Sequence, residues 1–200
     1  MDVYRLATIG LAGLRLPLDT LAGRWRPRER ASEWALGLRF PHEDLSGLDI
    51  GTRVAFTAAR SEALWRHGIV IGLTSGARSA AEQQRLFDDA VRRHGSDSAA
   101  RQWVLPPAES LHVQGRALDI RPREGARWLE VHGHRFGLYR MYANEWWHFE
   151  HWPEFIGTDS RPPLRTDPRS HVSGSLGRQR QVSHSRGRPA VDGGRSSARR

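Results

Sequence analysis

Two imidazoles and two carboxylates in this 200-residue chain have the types and spacing of a metal site with a base beside it. His112 and Asp119 stand close in sequence, His148 follows, and Glu145 precedes His148 by three residues. Zinc accepts three N and O ligands of this kind and leaves a fourth position for water. A structural zinc site would normally close all four positions, usually with cysteine, and this sequence contains none. An open site points instead to catalysis. Bound zinc brings the pKa of water toward about 7, and an unligated carboxylate, here Glu145, can take the proton as a carbonyl is attacked. The same residues also fit plain Asp–His hydrogen bonds among their aromatic neighbours, and spacing by itself leaves both readings open.

The elements that must position these groups can be read around them. Arg116 to Ile120 alternates as a half-buried strand, with Leu118 and Ile120 on one face and Ala117 and Asp119 on the other. A carboxylate buried there without compensation would be costly, so Asp119 needs a partner. Gly51 to His67 carries apolar residues at helical spacing and stops at Gly68, and Ile69 to Ser75 reads as a buried strand. Ser79-Ala-Ala-Glu82 is a capping box opening a helix that runs through Arg93 and closes at Gly95. A short helical segment around Ser98 to Trp103 precedes the Pro106-Pro107 loop. Beyond Asp119 come a helical "EGARWLEVHGHRFG" and two aromatic-rich strands, "LYRMYA" and "EWWHFEHW". This order lacks the alternation of a parallel doubly wound sheet and predicts an α+β fold: a small, mostly antiparallel sheet flanked by helices, which would hold the candidate metal site. Residues 20 to 50 are punctuated by Pro, Arg and Gly and read as an irregular arm.

Charge is unevenly distributed. From Gly157 to Arg200 there are ten Arg against three Asp, so most of the formal +9 lies there, and residues 1 to 156 are nearly neutral. That segment holds seven apolar residues in 44 and no aromatic, too few to offset its ordering entropy, so it is expected to be a disordered basic tail. All 31 basic residues are Arg, which reflects coding bias more than a phosphate-binding surface. With no interleaved aromatics in the basic segment and a nearly neutral remainder, specific nucleic-acid binding is not expected as the main function. The apolar run Leu6 to Leu14 is long enough for a signal-peptide core and short for a membrane span. Asp2, Arg15, Asp19 and two internal glycines favour an N-terminal segment packed on the domain. The expected organisation is an arm at 1–49, a domain carrying the candidate site at 50–156 and a tail at 157–200.

Read together, several strings carry a resemblance. "SGARS" at 75–79 is followed by Gln83 and Leu86-Phe87, then by "SLHVQGRALD" at 110–119, "WLEVHGHRFGLYRMY", and "NEWWH" at 144–148. In this order they resemble the VanY-type zinc D-alanyl-D-alanine carboxypeptidases, over about residues 50 to 152. The strongest parts are S-x-H-x-x-G-x-A-x-D and the terminal E-x-W-H.

The resemblance implies one zinc ion held by His112, Asp119 and His148, with Glu145 as general base. It also implies that Arg78 faces the scissile carbonyl and the substrate carboxylate, and that Gln83 and Ser110 line the peptide cleft. The expected substrate is a peptidoglycan stem peptide losing its terminal D-alanine. Alternatives are an endopeptidase on the same scaffold and a non-catalytic zinc-containing wall-binding protein whose Arg tail meets an anionic polymer. The expected state is a monomer in the cell envelope or secreted, or cytoplasmic if the N-terminal run is no signal. Two positions depart from the family pattern. Ala77 stands where an aromatic is usual, implying a more open pocket wall, and Trp146 stands where Pro is usual. On a regular strand Glu145 and His148 would face opposite sides, so a bend must bring them together. "HGH" at 132–134 could bind metal on a strand, but at the end of a helical pattern it suits the helix C-terminal dipole.

Overall fold

In the computed structural model, which describes residues 3–170, helix α3 (Ile50–His67) lies against one face of a four-stranded sheet. Asp49 caps α3 by accepting from the Thr52 amide, and Gly68 ends it in the left-handed region. Strand β1 (Gly72–Ser75) leads to α4 (Ala80–His94), whose N-cap Ser79 accepts from the Glu82 amide and whose end is Gly95. A short α5 (Asp97–Ala100) and the proline loop follow, then β2 (Ala117–Arg121), α6 (Arg123–His132), a 3-10 turn at Gly133–Phe136, β3 (Leu138–Arg140) and β4 (His148–His151). The sheet order is β1-β2-β4-β3 with every pairing antiparallel, which is the expected α+β fold.

The core lies between α3, α6 and the inner face of the sheet, where Phe56, Ile71, Leu118, Ile120, Leu129, Leu138 and Phe149 are buried together. Leu118 and Ile120 thus occupy the face that their alternation assigned to the core, and the opposite face is left for Asp119. Only Gly72–Ser75 of the expected Ile69–Ser75 strand enters the sheet. At this edge the Leu73 amide donates to Glu43 at 2.5 Å, and Glu43 is paired at 3.0 Å with the buried Arg60. A carboxylate in place of a further strand satisfies the edge.

The irregular arm expected over residues 20–50 is corrected by helix α2 (Pro27–Arg39), which follows α1 (Val3–Leu21). Pro27 sits at the start of α2, where it lacks only an amide that would be unbonded anyway. Ala31, Ala35 and Leu36 bury the inner side of α2 against Ala12, Leu64 and Val70. The four arginines of "RWRPRER" hid this spacing. Arg39 lies over Tyr4 and Arg15 over Trp34, so the helices run antiparallel as a hairpin. Among the described residues, no helix is long and apolar enough to cross a membrane.

The segment from Gly157, read from composition as tail, is described as far as Ser170, and its last part is held in place. Arg165 donates its amide to Met141 O at 2.8 Å and accepts from Ala143 at 2.7 Å, and Asn144 donates to Thr166 O at 3.3 Å. Tyr142 and Arg165 form a parallel bridge. These backbone bonds need no apolar content, so composition could not signal them. The expectations for residues 171–200, including a polymer-binding role, lie outside the described residues.

Candidate metal centre

Sheet register brings the first two groups together. Asp119 on β2 pairs with His148 on β4 and, on its other side, with Ser75 on β1. Residues directly opposite in antiparallel strands share a face, so this row points away from the core. Leu73 pairs with Ile120 while Ser75 pairs with Asp119, leaving Thr74 as a bulge. On a regular strand Ser75, two residues after Leu73, would follow it into the core; the bulge re-aims it beside Asp119.

His112 arrives from the loop before β2. Arg78 donates its amide to His112 O at 3.1 Å, and Gly115, at φ +69°, turns the chain back. A Cβ there would lie 2.6 Å from the Asp49 amide nitrogen, so both the backbone angle and the space require glycine. His112 Nδ1 is 2.6 Å from Gly76 O. A carbonyl can only accept, so Nδ1 carries a proton, and Nε2 is turned toward Asp119 Oδ1 at 3.4 Å.

The bend required between Glu145 and His148 is a turn through Trp146 and Trp147, with the His148 amide donating to Glu145 O at 3.4 Å. It closes without proline. Trp146 packs on the core and under Arg123, and Ile120 donates its amide to Trp147 O at 2.9 Å. Glu145 Oε2 ends 3.9 Å from His148 Nδ1.

One nitrogen or oxygen from each of His112, Asp119 and His148 lies within 4.8 Å of the others, which is the one such grouping among the described residues. His148 Nδ1 is 3.2 Å from Asp119 Oδ1, and its Nε2 is 3.2 Å from Glu150 Oε1. With Glu150 accepting the Nε2 proton, Nδ1 is directed at the same point as His112 Nε2, and a metal ion displacing the Nδ1 proton would take its lone pair. Two imidazoles and a carboxylate with their outer nitrogens tied to acceptors fit zinc. His132 and His134 take no part: His132 packs on Trp128 and His67, and His134 Nδ1 meets Val131 O.

The electrostatics agree with a site built for positive charge. Burial opposes ionisation of Asp119, but hydrogen bonds from His112 and His148 outweigh it and hold the carboxyl well below the usual range. Burial likewise opposes protonation of His148, but Asp119 and Glu150 on its two sides raise its pKa to about 10. Glu145 is pushed up to about 7, chiefly by burial, with His148 acting in the opposite direction.

Arg78 reaches the same cluster. Its Nη2 donates to Asp119 Oδ2 at 2.7 Å, Nε to Ser75 Oγ at 2.8 Å and Nη1 to Gln83 Oε1 at 3.3 Å. Gln83 is itself fixed by donating to Leu105 O at 2.7 Å. Gln83 and Ser110 are buried, and both line a cleft of about 250 Å³ over the cluster. All seven residues singled out from sequence meet in this cleft. Ala77 does not line it. A Cβ on Gly47 would lie 2.8 Å from that of Ala77, so this position faces the body of the domain and the expected opening of the pocket wall is not found there.

Four residues contribute beyond those expected as ligands, base or cleft. Glu150 also accepts from Tyr142 Oη at 3.1 Å and Trp152 Nε1 at 2.9 Å, and the Tyr142 ring stacks on His148 with centroids 5.0 Å apart. His148 and Glu150 are two apart on a strand and so share a face, a signal present in "HFE". Pro168 forms part of the cleft wall, and no local pattern announces it.

With the geometry in hand, comparison with known proteins is informative. The sequence profile of the family VanY, D-alanyl-D-alanine carboxypeptidase, matches residues 52–154. Among solved structures, the D,D-pentapeptidase VanY of a VanB-type vancomycin resistance cassette, in complex with Zn(II), is 28% identical with a TM-score of 0.48. The alignment covers 55% of this chain and 76% of that one. VanYB in complex with D-alanine-D-alanine gives 26% identity and a TM-score of 0.49, covering 55% and 75%. The LD-carboxypeptidase LdcB gives 22% and 0.48, covering 55% and 62%. Curated protein sequences give no match.

Proposed function

Because the chain belongs to the VanY family of D-alanyl-D-alanine carboxypeptidases, we propose that it is a zinc-dependent peptidase releasing the C-terminal D-alanine of peptidoglycan stem peptides. The observation that supports this best is the convergence of His112, Asp119 and His148 within 4.8 Å in a cleft that also holds Glu145.

Zinc bound by these three residues would supply Lewis acidity, polarising a carbonyl and acidifying water. The chain's own groups do the rest. Glu145, held beside His148 by the Trp146–Trp147 turn, is placed to take a proton from water and return it to the departing amine. Arg78 has five N–H donors, of which Nε and one each on Nη1 and Nη2 are engaged with Ser75, Gln83 and Asp119. Those left on the two Nη atoms can meet a substrate carboxylate or the oxygen that gains charge during attack. Leu86, Trp103 and Trp147 give the cleft apolar walls suited to the methyl groups of alanine.

The test is paired kinetics on D-alanyl-D-alanine peptides with free and amidated C-termini. Faster hydrolysis of the free peptide, with Arg78→Lys losing most of that preference because lysine lacks the fork, supports the carboxypeptidase reading. Equal rates on the two peptides would assign the chain to the endopeptidases and leave the metal site intact.

A further inference from the structure

Helix α1 is turned inside out relative to an ordinary surface helix. At roughly 100° per residue, Val3, Leu6, Ala7, Gly10, Gly13, Leu14, Pro17, Leu18 and Leu21 form one continuous face. Every one of them is exposed, with Leu14 at 74% and Leu21 at 86%. The charged residues Arg5, Arg15 and Asp19 lie on the other side. Asp19 is buried and paired with Arg15 at 3.2 Å. Arg5 is bound by Gly68 O, by His67 O at 3.2 Å and by Glu124 at 2.9 Å. These polar ties and the packing of Ala12, Leu36 and Leu64 fix which face looks outward. Nothing lies within 4 Å of where a side chain would begin on Gly10 or Gly13.

The outward face ends in a basic aromatic turn. Arg24, Trp25, Arg26, Arg28 and Arg30 are packed into seven residues with one acid, Glu29, and Trp25 is 84% exposed. An uncharged helical face flanked by arginines and an exposed tryptophan has the composition of a segment that lies in a membrane interface. There the apolar side enters the acyl boundary, the indole settles at headgroup level and guanidinium groups meet phosphates. A second copy of the chain would cover the apolar face but bring no counter-charge to the arginines. We propose that the outer face of α1, with the Arg24–Arg30 turn, docks the protein on a lipid surface carrying anionic headgroups. This stands on the hairpin alone and is independent of the peptidase reading.

The experiment is flotation of the full chain with vesicles of phosphatidylglycerol and phosphatidylcholine, and with phosphatidylcholine alone. The expected result is association with the mixed vesicles, reduced roughly tenfold or more by Leu14→Glu with Leu18→Glu and Leu21→Glu, since carboxylates cannot enter the acyl boundary. Replacing Arg26, Arg28 and Arg30 with Gln, and leaving Arg24 on its buried partner Asp19 at 3.5 Å, should remove the preference for the anionic vesicles. Circular dichroism and zinc content of these variants should match the unaltered chain, because the changed side chains touch neither core nor cleft. Equal flotation of the unaltered and triple-Glu chains, or none by either, would overturn the proposal. So would a lipid-free dimer abolished by the triple change, which would give this face to a second copy.

Discussion

Glu150 Oε1 stands 3.2 Å from Nε2 of His148, two residues before it on the same strand, while the other nitrogen of that ring faces Asp119. The carboxylate is buried and is held by Tyr142 and Trp152, so it fixes the orientation of the imidazole and keeps a proton on its outer nitrogen.

Glu150→Gln should therefore weaken zinc binding about 10- to 100-fold, a typical loss for an outer carboxylate. Competition with a chromogenic chelator measures it. Unchanged affinity would mean that His148 is oriented by other contacts.

Glu145→Ala should keep zinc and fold and lose on the order of 10² to 10⁴ in turnover, because a base acts in the reaction and not in metal retention. Single-turnover rates at saturating zinc read the effect directly. Glu150 cannot substitute, since its oxygens are directed to His148, Tyr142 and Trp152.

The Arg165 segment should matter to the rate. Its backbone bonds hold Met141 to Asn144, the residues leading into Glu145. Arg165→Pro removes the amide bonded to Met141 O, and kcat should fall by up to about 10²-fold through misplacement of the base, with zinc retained. Truncation after Ser170 leaves these bonds in place and should leave kcat unchanged. A full rate for Arg165→Pro would show that the turn holds Glu145 unaided.

The stability of the zinc-free chain should depend on His151. This buried ring meets Thr52 Oγ1 at 3.2 Å, and its pKa is lowered below 6.5, first by burial and then by Arg116, against the pull of Asp49 and Glu154. The unfolded chain then binds a proton that the folded chain refuses. The contribution is present above the unfolded value of 6.5 and is lost as pH falls toward the lowered folded value. Thermal unfolding with chelator present should show a decline in Tm over this window that is smaller in His151→Gln.

The parts of the fold and the site that the sequence makes legible are those coded locally. The Ser79 cap, the Gly68 and Gly95 stops and the alternation around Asp119 each depend on near neighbours, and each appears where expected. The residues that converge in the cleft are legible because His112, Asp119, Glu145 and His148 fall in short strings of recognisable order. What escaped depends on partners distant in the chain. The α2 helix was masked by its arginines and prolines, and its buried side is defined by Leu64 and Val70. The return of Arg165 to Met141 rests on backbone groups that every residue has, so no side chain could announce it. The Thr74 bulge, which aims Ser75 at Arg78, exists only in the pairing with β2.

The central claim is that zinc held by His112, Asp119 and His148 serves a reaction that frees D-alanine. Its most direct measurement is D-alanine release from a D-alanyl-D-alanine stem peptide while zinc is titrated into the chelator-treated chain. The account predicts that release rises with zinc and saturates at one ion per chain, and that His148→Ala shows neither tight zinc binding nor release. Release at full rate by the metal-free chain, or saturation at one ion with no D-alanine formed, would contradict it.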